Sequence, residues 1–384
     1  MKILLLSHAS NDENAGASRV YHLLANALRQ RGHAVSLYHY EDLRVPRLLD
    51  YFVYRMALPE FFFWRFYKKS TEGYDVIFCS NGMAHRIFRK LRTLPHRPKL
   101  IHHLHGQSYF VYETVVTERL RGHLKLSPFF MALKGKFSVK WDAKGAQHAD
   151  VIVTQNMRDE DYLEDMRSHH PQTNSFTAPI IRVALPLHPS IQEASRNALE
   201  PEKRNPNSML WFGSWVERKG NYYVDRAFRD VKKKFPDATL TLGGTGCRPE
   251  AVLGFFAPEL RSSVRVLPRV DTETQIREYN AHSLFIFPSL SEGFGFALIE
   301  AMAMGLACVT THTGMISDWL EDREHALVVA KASAKHLAQG IIRLMEDEAL
   351  RCHVARTGQK FARQFTLEKC LNDYMDIFER RTVE

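Results

Sequence analysis

One stretch of the sequence decides the fold: residues 288–310, P-S-L-S-E-G-F-G-F-A-L-I-E-A-M-A-M-G-L-A-C-V-T. An apolar run at 284–287 precedes it and predicts a strand. A polar turn with Gly293 and Gly295 follows, and from about Ala297 apolar residues recur at helical spacing. Glycines ahead of a helix let a ligand approach the backbone and expose unpaired N–H groups, which favour an anion such as phosphate. The stretch therefore predicts a strand–turn–helix unit with an anion-binding turn.

Two carboxylates frame this turn and helix. Glu292 lies in the turn and Glu300 lies one turn into the helix, with seven residues between them. A carboxylate accepts hydrogen bonds from hydroxyl groups, so two of them are suited to gripping two sugar rings. The alternative is an ordinary strand–turn–helix with two solvated glutamates, because this spacing alone occurs by chance in many chains. The complete string closely resembles the E-x7-E segment of retaining glycosyltransferases of family 4, which have the two-domain GT-B fold.

Composition points to a soluble protein of two domains. The chain has 384 residues, of which 45% are hydrophobic and 25% are charged. No apolar run reaches the roughly 18–20 residues of a membrane span, and residues 1–7 lack a signal-peptide pattern. The five cysteines are scattered and odd in number, which indicates reduced thiols. We therefore expect a cytoplasmic protein, attached at most peripherally to the inner face of the cell membrane.

The formal net charge of +9 predicts an acidic partner, namely an anionic membrane, the phosphates of a nucleotide, or nucleic acid. The sequence contains neither zinc-finger spacing nor a nucleic-acid-binding motif. Nucleic acid is therefore not expected as a partner.

Two stretches in the first half mix aromatic and basic side chains. One runs from Arg44 to Lys69 and the other from Arg119 to Trp141. The mixture suits an anionic membrane surface, where aromatic rings lie at headgroup level and cations meet anionic lipid. The alternative for the first stretch is two helices, broken at Pro59, that pack on the sheet of the N-terminal domain.

The chain begins with a βαβ pattern that places Gly16 in the turn after the first strand. The pattern consists of an apolar run at 1–6, a helical face at 20–28 and a strand at 34–38. This turn lies at the edge where open α/β sheets bind ligands. Gly16 is either an ordinary loop glycine or one that lets the phosphates of a donor approach. The segment resembles the opening G-G-x-x-x-x motif of the family, with Ala15 in place of the first glycine.

A strand predicted at 100–104 ends in His105. A histidine at the carboxyl end of a strand can hydrogen-bond a reacting sugar and stabilise charge. Neighbouring strand residues point to opposite faces, so at best His103 and His105 share a face, and we expect no metal site. The segment K-L-I-H-H-L-H-G resembles the family's strand that ends in His-Gly, whose histidine lies beside the donor sugar, and His105 is the match.

Asp159, Glu160 and Asp161 form an acidic triplet in a helix predicted at 157–166. The triplet looks like that of metal-dependent sugar transferases. We interpret it as a solvated helix face, because the family that the chain resembles needs no metal.

The second half begins after a segment rich in proline. A strand at 183–185 is predicted to end the first domain, and four prolines among polar residues indicate a hinge at 186–207. A strand at 209–212 and the loop G-S-W-V-E-R-K-G, residues 213–220, follow. This loop places Arg218 and Lys219 beside the carboxyl end of a strand, where cations can neutralise a diphosphate leaving group. Two solvated surface cations are the alternative.

The loop at 213–220 resembles the family's G-R-L-x-x-x-K-G, in which Lys219 matches the lysine. Ser214 stands at the arginine position, and we infer that Arg218 supplies the missing charge.

Further along, G-G-T-G at 243–246 resembles the family's G-x-G turn. Thr272 is a candidate cap for a helix at 271–279. T-G-M-I-S-D at 313–318 resembles the family's G-G-x-x-E turn, with Asp318 in place of the glutamate.

The resemblance implies an α/β fold of two Rossmann-like domains facing a cleft, with a C-terminal helix that crosses back to the N-terminal domain. We expect an acceptor-binding domain at 1–185, a hinge at 186–207, a donor-binding domain at 208–365 and the crossover helix in 366–384. The implied reaction moves a sugar, with retention of configuration and without metal or other cofactor, from a UDP- or GDP-linked donor. The expected acceptor is a glycan or lipid-linked molecule of the lipopolysaccharide, exopolysaccharide or capsule type.

By the same resemblance, the predicted catalytic residues are His105, Arg218, Lys219 and Glu292. Glu292 would bind sugar hydroxyls and Glu300 the nucleotide ribose. The predicted donor-binding residues are Gly16, Gly213, Ser214, Arg218, Lys219, Gly244, Glu292, Gly293, Phe294, Gly295, Phe296 and Glu300.

Two other classes of protein stay open at this point. A non-catalytic nucleotide-sugar-binding scaffold would bind the donor without turnover. A nucleotide-sugar epimerase would consume the donor without an acceptor product, and a glycan phosphorylase would depend on phosphate.

Overall fold

A computed structural model describes residues 1–13, 16–124, 128–169, 176–314 and 318–380, with all their side chains except those of 51, 55, 128–134 and 136. The chain divides into two compact units. Unit 1 consists of Met1–Arg119, Leu124–Pro186 and Leu367–Glu384, and unit 2 consists of Leu120–His123 and Leu187–Thr366. The last segment therefore belongs to the same unit as the first half of the chain.

Unit 1 is built on a six-stranded parallel sheet in the order β2-β1-β3-β4-β5-β6. Its strands are β1 (Lys2–Leu6), β2 (Ala34–Tyr38), β3 (Val76–Ser80), β4 (Lys99–His103), β5 (Val151–Thr154) and β6 (Ile180–Arg182). The chain forms β2 on one side of β1 and β3 on the other. The switch point of this sheet, where open α/β sheets bind ligands, therefore lies between β1 and β3.

Helices cover both faces of this sheet. They are α1 (Gly16–Gln30), α2 (Leu58–Ser70), α3 (His85–Leu91), α4 (Ser108–Leu120), α5 (Pro128–His148), α6 (Met157–His169) and, at the end of the chain, α14 (Leu367–Glu379). Short helical turns lie at Tyr40–Leu43, Arg47–Leu49, Asp50–Phe52, Val53–Ala57 and Asn81–Ala84. On one face, Leu4, Ile77, Leu100 and Ile152 share a core with side chains of α2, α3 and α5. On the other face, Tyr374 of α14 packs edge-on against Phe78, with ring centroids 5.5 Å apart.

Unit 2 has a second six-stranded parallel sheet in the order β12-β11-β10-β7-β8-β9. Its strands are β7 (Ser208–Phe212), β8 (Thr239–Gly243), β9 (Val264–Leu267), β10 (Leu284–Phe287), β11 (Ala307–Thr311) and β12 (Leu327–Val329). The chain runs outward from β7 through β8 and β9 and then returns to the other side of β7 with β10. The carboxyl ends of β7 and β10 therefore flank the switch point of this sheet.

The helices of unit 2 alternate with these strands. They are α7 (Pro189–Ala194), α8 (Asn221–Lys234), α9 (Pro249–Leu253), α10 (Thr272–Ala281), α11 (Phe296–Ala303), α12 (Ala334–Glu346) and α13 (Glu348–Ala362), with shorter turns at Ser195–Asn197, Pro201–Lys203, Glu217–Lys219 and Pro258–Ser263. Apolar side chains of β7, β8, β10 and β11 form one core with those of α8 and α12. The two parallel sheets with their helices confirm the predicted fold class.

The strand predicted at 183–185 is wrong. The last strand of unit 1 is β6, where Ile180 pairs with Ile152 of β5. Val183 and Leu185 are buried, but they lie in the connection to unit 2. These two residues are apolar because they are buried, and they do not pair with a neighbouring strand.

One cap was assigned to the wrong residue. The cap of α10 is Asp271, whose carboxylate accepts a hydrogen bond from the N–H of Thr274 at 2.8 Å, and not Thr272. The helical stretch before α2 ends at Ala57, and Pro59 lies in the first turn of α2, so the break expected at Pro59 lies two residues before it. Proline is tolerated in a first turn because the first N–H groups of a helix have no acceptor inside the helix.

The segment predicted as a hinge is ordered on unit 2. It carries α7 and two helical turns. The buried guanidinium of Arg204 donates to the carbonyl oxygens of Tyr279 and His282 at 2.6 Å and of Met304 at 2.7 Å. These bonds fasten the segment to the ends of α10 and α11.

No helix in the described part of the chain is both long enough and apolar enough to cross a membrane.

Candidate active site

The switch point of unit 2 brings together the two loops that the sequence analysis singled out. The N–H of Leu290 donates to the carbonyl oxygen of Arg218 at 2.7 Å, which joins the loop after β10 to the loop after β7. Gly220 has a φ of +72°, and a Cβ atom there would lie 2.1 Å from the carbonyl oxygen of Pro288. Only glycine permits this approach. The two loops are therefore held as one structure.

Glu292 lies between the two cations of the neighbouring loop. Its Oε1 atom is 2.6 Å from Nζ of Lys219, and its Oε2 atom is 3.4 Å from Nη1 of Arg218. The hydroxyl group of Ser289 donates to Oε1 at 2.8 Å. The structure thus brings three of the four predicted catalytic residues, Arg218, Lys219 and Glu292, into direct contact.

The environment favours the charged form of Glu292 and disfavours that of Lys219. Burial alone would raise the pKa of Glu292, but the positive charges of Lys219 and Arg218 and the hydrogen bonds outweigh burial and lower it. Burial lowers the pKa of Lys219, and the Glu292 carboxylate opposes that shift. A half-buried ammonium and a buried carboxylate in contact are a charged site that a polar, anionic ligand can enter.

The turn after β10 has the geometry expected of an anion site. Gly295 has a φ of +106° and is the residue before α11. Leu298 and Ile299 donate to the Gly295 carbonyl oxygen. The N–H groups that precede them in the first turn of a helix have no acceptor inside the helix. Phe294 is buried and packs against the ring of Phe296 at 5.1 Å between centroids, which fixes the turn.

Glu300 is in a different environment from Glu292. It lies in α11, is 1% exposed, and accepts hydrogen bonds at Oε2 from Nε2 of Gln275 at 2.7 Å and from the hydroxyl of Tyr279 at 3.3 Å. Gln275 and Tyr279 are four residues apart on α10 and so share one face. They hold the Glu300 carboxylate with neutral donors.

Gly213 and Gly244 lie at the carboxyl ends of β7 and β8. The N–H of Gly213 donates to the Gly243 carbonyl at 3.0 Å, and the N–H of Gly244 donates to that of Leu267 at 2.8 Å. Gly244 has a φ of +68°. Ser214, the residue at the family's arginine position, is exposed.

Gly314 lies against the loop that carries Glu292. Gly314 has a φ of +73°, and a Cβ atom there would be 2.7 Å from the Phe294 carbonyl oxygen and 3.0 Å from Cβ of Glu292. Residues 315–317 of the predicted turn lie outside the described residues. Gly314, which matches the first glycine of the G-G-x-x-E motif when Asp318 takes the glutamate position, is therefore a glycine that the packing requires.

The remaining predicted site residues, Gly16 and His105, belong to unit 1. Gly16 is exposed at the start of α1, while Ala15 lies outside the described residues. His105 follows β4, and its ring lies 4.4 Å from that of His103 between centroids, as expected for residues that share a face.

Gln155 bridges these two histidines. Its Nε2 atom lies 3.3 Å from Nε2 of His103 and 3.4 Å from Nδ1 of His105. The Tyr374 hydroxyl of α14 lies 2.9 Å from Nε2 of His103. Burial, and then the neighbouring histidines, hold the pKa of His105 well below its ordinary value. His105 is therefore neutral at pH 7 and suited to hydrogen bonding, not to carrying a positive charge.

The interpretation of the acidic triplet as a solvated face is wrong for Asp159. Its side chain is buried and accepts hydrogen bonds from the N–H of Gln107 at 3.2 Å and from Nδ2 of Asn156 at 2.9 Å. Burial raises its pKa to about 7. Asp159 ties the loop after β4 to the loop after β5. Within the described ranges, no group of three or more His, Cys, Asp or Glu side chains is placed to hold a metal ion.

Three residues that hold the two glutamates, Ser289, Gln275 and Tyr279, were not predicted from the sequence. The spacing of Gln275 and Tyr279 on a predicted helix was visible, but their partner lies 25 and 21 residues away. Lys219 and Glu292 are separated by 73 residues, so only the sheet order shows that they meet.

Comparison with known proteins gives two family matches. The model described as "Glycosyl transferases group 1" matches residues 206–347, and that described as "Glycosyltransferase Family 4" matches residues 14–172. Phosphatidyl-myo-inositol mannosyltransferase of Mycolicibacterium smegmatis is 30% identical over 168 residues, which cover 43% of this chain and 43% of that protein. Alignments with two other curated relatives cover 48% and 54% of their lengths, so the chain matches about half of each.

Solved structures with the same fold cover nearly the whole chain. Sucrose-phosphate synthase of Thermosynechococcus elongatus superimposes with a TM-score of 0.75 at 18% identity and covers 98% of both chains. HepE of Anabaena, solved in complex with UDP and glucose, has a TM-score of 0.65 at 15% identity and covers 98% of this chain and 99% of its own. At these identities the likeness shows the GT-B fold.

Proposed function

Because the chain belongs to the group 1 glycosyltransferases of the family 4 type, we propose that it transfers a sugar from a nucleoside diphosphate sugar to an acceptor hydroxyl. The observation that carries this proposal is the contact of Glu292 with Lys219 and Arg218 at the switch point of unit 2. Two cations, a carboxylate and a glycine-led helix start are the groups that a diphosphate attached to a sugar requires.

The cations carry the chemistry at the leaving group. As the bond between the anomeric carbon and the diphosphate breaks, negative charge grows on the diphosphate oxygens. Lys219 and Arg218 lower the energy of that charge, and preorganised charges of this kind commonly supply several kcal/mol of transition-state stabilisation. The backbone N–H groups around Phe294 and Gly295 add hydrogen bonds. The reaction therefore needs no metal ion in this proposal.

In unit 2, the two carboxylates hold the sugar and the nucleoside in this proposal. Glu292 accepts hydrogen bonds from sugar hydroxyls, while Glu300, held by neutral donors, accepts them from the ribose. Ser214, Gly213 and Gly244 border the path of the diphosphate. His105, as a neutral imidazole, donates a hydrogen bond to the sugar, and Gly16 leaves room for the donor.

Retention of configuration follows from attack on the face that the leaving group vacates. The bond from the anomeric carbon to the acceptor oxygen forms as the bond to the diphosphate breaks, through an oxocarbenium-like state. The acceptor's proton passes to the departing phosphate oxygen, so charge and atoms balance without a dedicated base.

The acceptor in this proposal is lipid-linked or an envelope glycan. The similar mycobacterial enzyme is named for phosphatidyl-myo-inositol, a lipid. In the stretch from Arg44 to Lys69, Leu48 and Trp64 are exposed while Phe62 and Phe66 lie in the core. The buried rings support the packing alternative, and the exposed side chains support the membrane role in this proposal. In the stretch from Arg119 to Trp141, residue 125 and the side chains of 129, 130, 134 and 136 lie outside the described residues. Attachment of these stretches to an anionic membrane from the cytoplasmic side completes the proposal.

The experiment is to incubate the protein with UDP- and GDP-linked sugars and a bacterial lipid extract, following the products by NMR. We expect release of one nucleoside diphosphate together with a new glycosidic signal that has the donor's anomeric configuration. An epimerised donor sugar without a new glycoside would indicate that the protein is an epimerase. A reaction that depends on added phosphate would indicate a phosphorylase. Binding of the donor without any product would indicate a scaffold.

A further inference from the structure

Three helices lie side by side on one face of the sheet of unit 1. Phe62 and Phe66 of α2, Phe88 of α3, and Trp141 and Ala146 of α5 all belong to the core beneath them. The side chains on the opposite side of each helix therefore point away from that core. An ion pair of 2.8 Å between Arg86 of α3 and Glu60 of α2 links two of these outer faces.

The outer faces of α3 and α5 carry a cluster of cations. Its members are Arg89, Lys90 and Arg92 at the end of α3, and Lys140 and Lys144 along α5, with the side chain of His148 beside them. Burial, and then the positive charges of Lys140, Arg89 and Arg86, lower the pKa of Lys144, while the negative charge of Glu60 opposes that shift. Burial, and then Arg92, Arg89 and Lys144, lower the pKa of His148. The cations of the two helices are thus close enough to repel one another.

Few carboxylates neutralise this cluster. Glu60 pairs with Arg86, and the one carboxylate of Asp150 is shared by Arg92 and Arg97. Among the described residues, no carboxylate lies within ion-pairing distance of Arg89, Lys140 or Lys144. Repulsion between unneutralised cations costs free energy in the folded protein, and a surface of phosphates would relieve it.

Large exposed apolar side chains lie on α2 and just before it. Trp64 is four residues after Glu60, and therefore on the same face of α2, and is 82% exposed. Leu48, in the helical turn at Arg47–Leu49, is 98% exposed. Cations alone would suit any polyanion, including nucleic acid or an acidic glycan. Exposed apolar side chains beside them suit a lipid bilayer, where they enter the interface while the cations meet the headgroup phosphates.

We propose that the outer face of α2, α3 and α5 binds a bilayer of anionic phospholipid, with Arg89, Lys140 and Lys144 at the phosphates and Trp64 and Leu48 in the interface. This inference deepens the membrane attachment in the proposed function, and it adds α3, which neither aromatic and basic stretch contains. It does not depend on the identity of the donor.

The test compares two triple variants in flotation with vesicles of phosphatidylcholine, with and without phosphatidylglycerol. In the first variant Arg89, Lys140 and Lys144 are changed to glutamine. A cation near an anionic surface contributes about fivefold to binding, equivalent to about 1 kcal/mol, so we expect a loss of about a hundredfold on phosphatidylglycerol vesicles. The matched control changes Arg229, Lys233 and Lys234, exposed residues of α8, to glutamine and should bind like the wild type.

A second pair of variants tests the apolar part. Trp64→Ser should weaken binding to phosphatidylglycerol vesicles severalfold, whereas Leu199→Ser, at an exposed leucine of unit 2, should not. Thermal stabilisation by nucleoside diphosphates is measured on the same samples. It shows whether the donor site is intact, independently of vesicle binding.

The proposal is overturned if the wild type floats equally with both kinds of vesicle or with neither. It is also overturned if the first triple variant binds like its control. Binding of heparin or RNA by the wild type without vesicle binding would assign the cluster to a different polyanion and overturn it as well.

Discussion

The ammonium of Lys219 lies 2.6 Å from the carboxylate of Glu292, across the boundary between the loops that follow β7 and β10. In the proposed function, Lys219 neutralises the diphosphate and Glu292 binds the sugar. Each of these side chains thus positions the other: Glu292 holds Lys219 where the diphosphate is expected, and Lys219 holds Glu292 where the sugar is expected. The two residues should act as a unit, so that the effects of changing them do not add.

Lys219→Met should lower kcat about a hundredfold to a thousandfold, because it removes a charge that opposes the developing charge of the leaving group. Donor affinity should change much less. Lys219→Arg, which keeps the charge, should retain more activity than Lys219→Met. Steady-state kinetics with the active nucleotide sugar measure both values, and an unchanged kcat in Lys219→Met would remove Lys219 from the mechanism.

The contact of Glu292 with Lys219 should make the stability of the protein depend on pH. Because the pKa of Glu292 is lowered in the folded protein, its contribution is present above the ordinary glutamate pKa of about 4.3 and is lost as the pH falls through the lower folded value. The difference in the free energy of unfolding between wild type and Glu292→Gln should therefore shrink in acid. Urea unfolding between neutral pH and about pH 3 measures it. Glu217→Gln, on the same loop, serves as control, and a difference that stays constant with pH would contradict the prediction.

Gln275 should act as a positioning residue for Glu300. Its amide donates to the carboxylate at 2.7 Å, and replacement by leucine removes that bond while keeping a similar volume. We expect Gln275→Leu to weaken nucleotide binding about tenfold, the equivalent of one hydrogen bond to a charged group, with little change in kcat. Glu300→Ala should weaken binding further, and Gln275→Glu should weaken it by repulsion. Calorimetric titration with the nucleoside diphosphate checks the order, and wild-type affinity in Glu300→Ala would remove the ribose role.

For Asp159 we expect a change of stability with pH that has the opposite sign. Its pKa is raised by burial to about 7, so its stabilising contribution is complete below the ordinary aspartate pKa of about 3.9 and is lost as the pH rises through about 7. Relative to Asp159→Asn, the wild type should lose at most about 1.4 kcal/mol of stability per pH unit in that interval. Asp161→Asn, at an exposed residue of the same helix, should show no such slope. Parallel pH profiles for wild type and Asp159→Asn would refute this.

The sequence was sufficient for the features that depend on local pattern. Short apolar runs marked the strands predicted at 1–6, 34–38, 100–104, 209–212 and 284–287 to within two residues at each end, and the glycine turn before α11 was placed to within one residue of its helix. The failures have physical causes. Val183 and Leu185 carry the same apolar signal as a strand because burial, not pairing, selects it. Asp271 competes with Thr272 as a cap, and the carboxylate has the position that reaches the N–H of Thr274.

The candidate site could be predicted as a set of residues but not as a set of contacts. Arg218 and Lys219 were selected from one loop and Glu292 from another, and only the return of β10 to the side of β7 brings them together. Glu292 and Glu300 look alike in sequence, yet one meets two cations and the other meets neutral donors of α10. Such differences depend on partners far away along the chain, which no local pattern reports.

The most direct measurement is a thermal shift assay of wild type and Glu300→Ala with UDP, GDP and ADP and their common sugar conjugates. The account predicts that one nucleotide stabilises the wild type, by roughly 2.7 kcal/mol at about 100 times its dissociation constant, and that the shift is lost in the variant. Stabilisation by none of these nucleotides, with the protein folded, would contradict the assignment of a nucleoside diphosphate sugar as substrate.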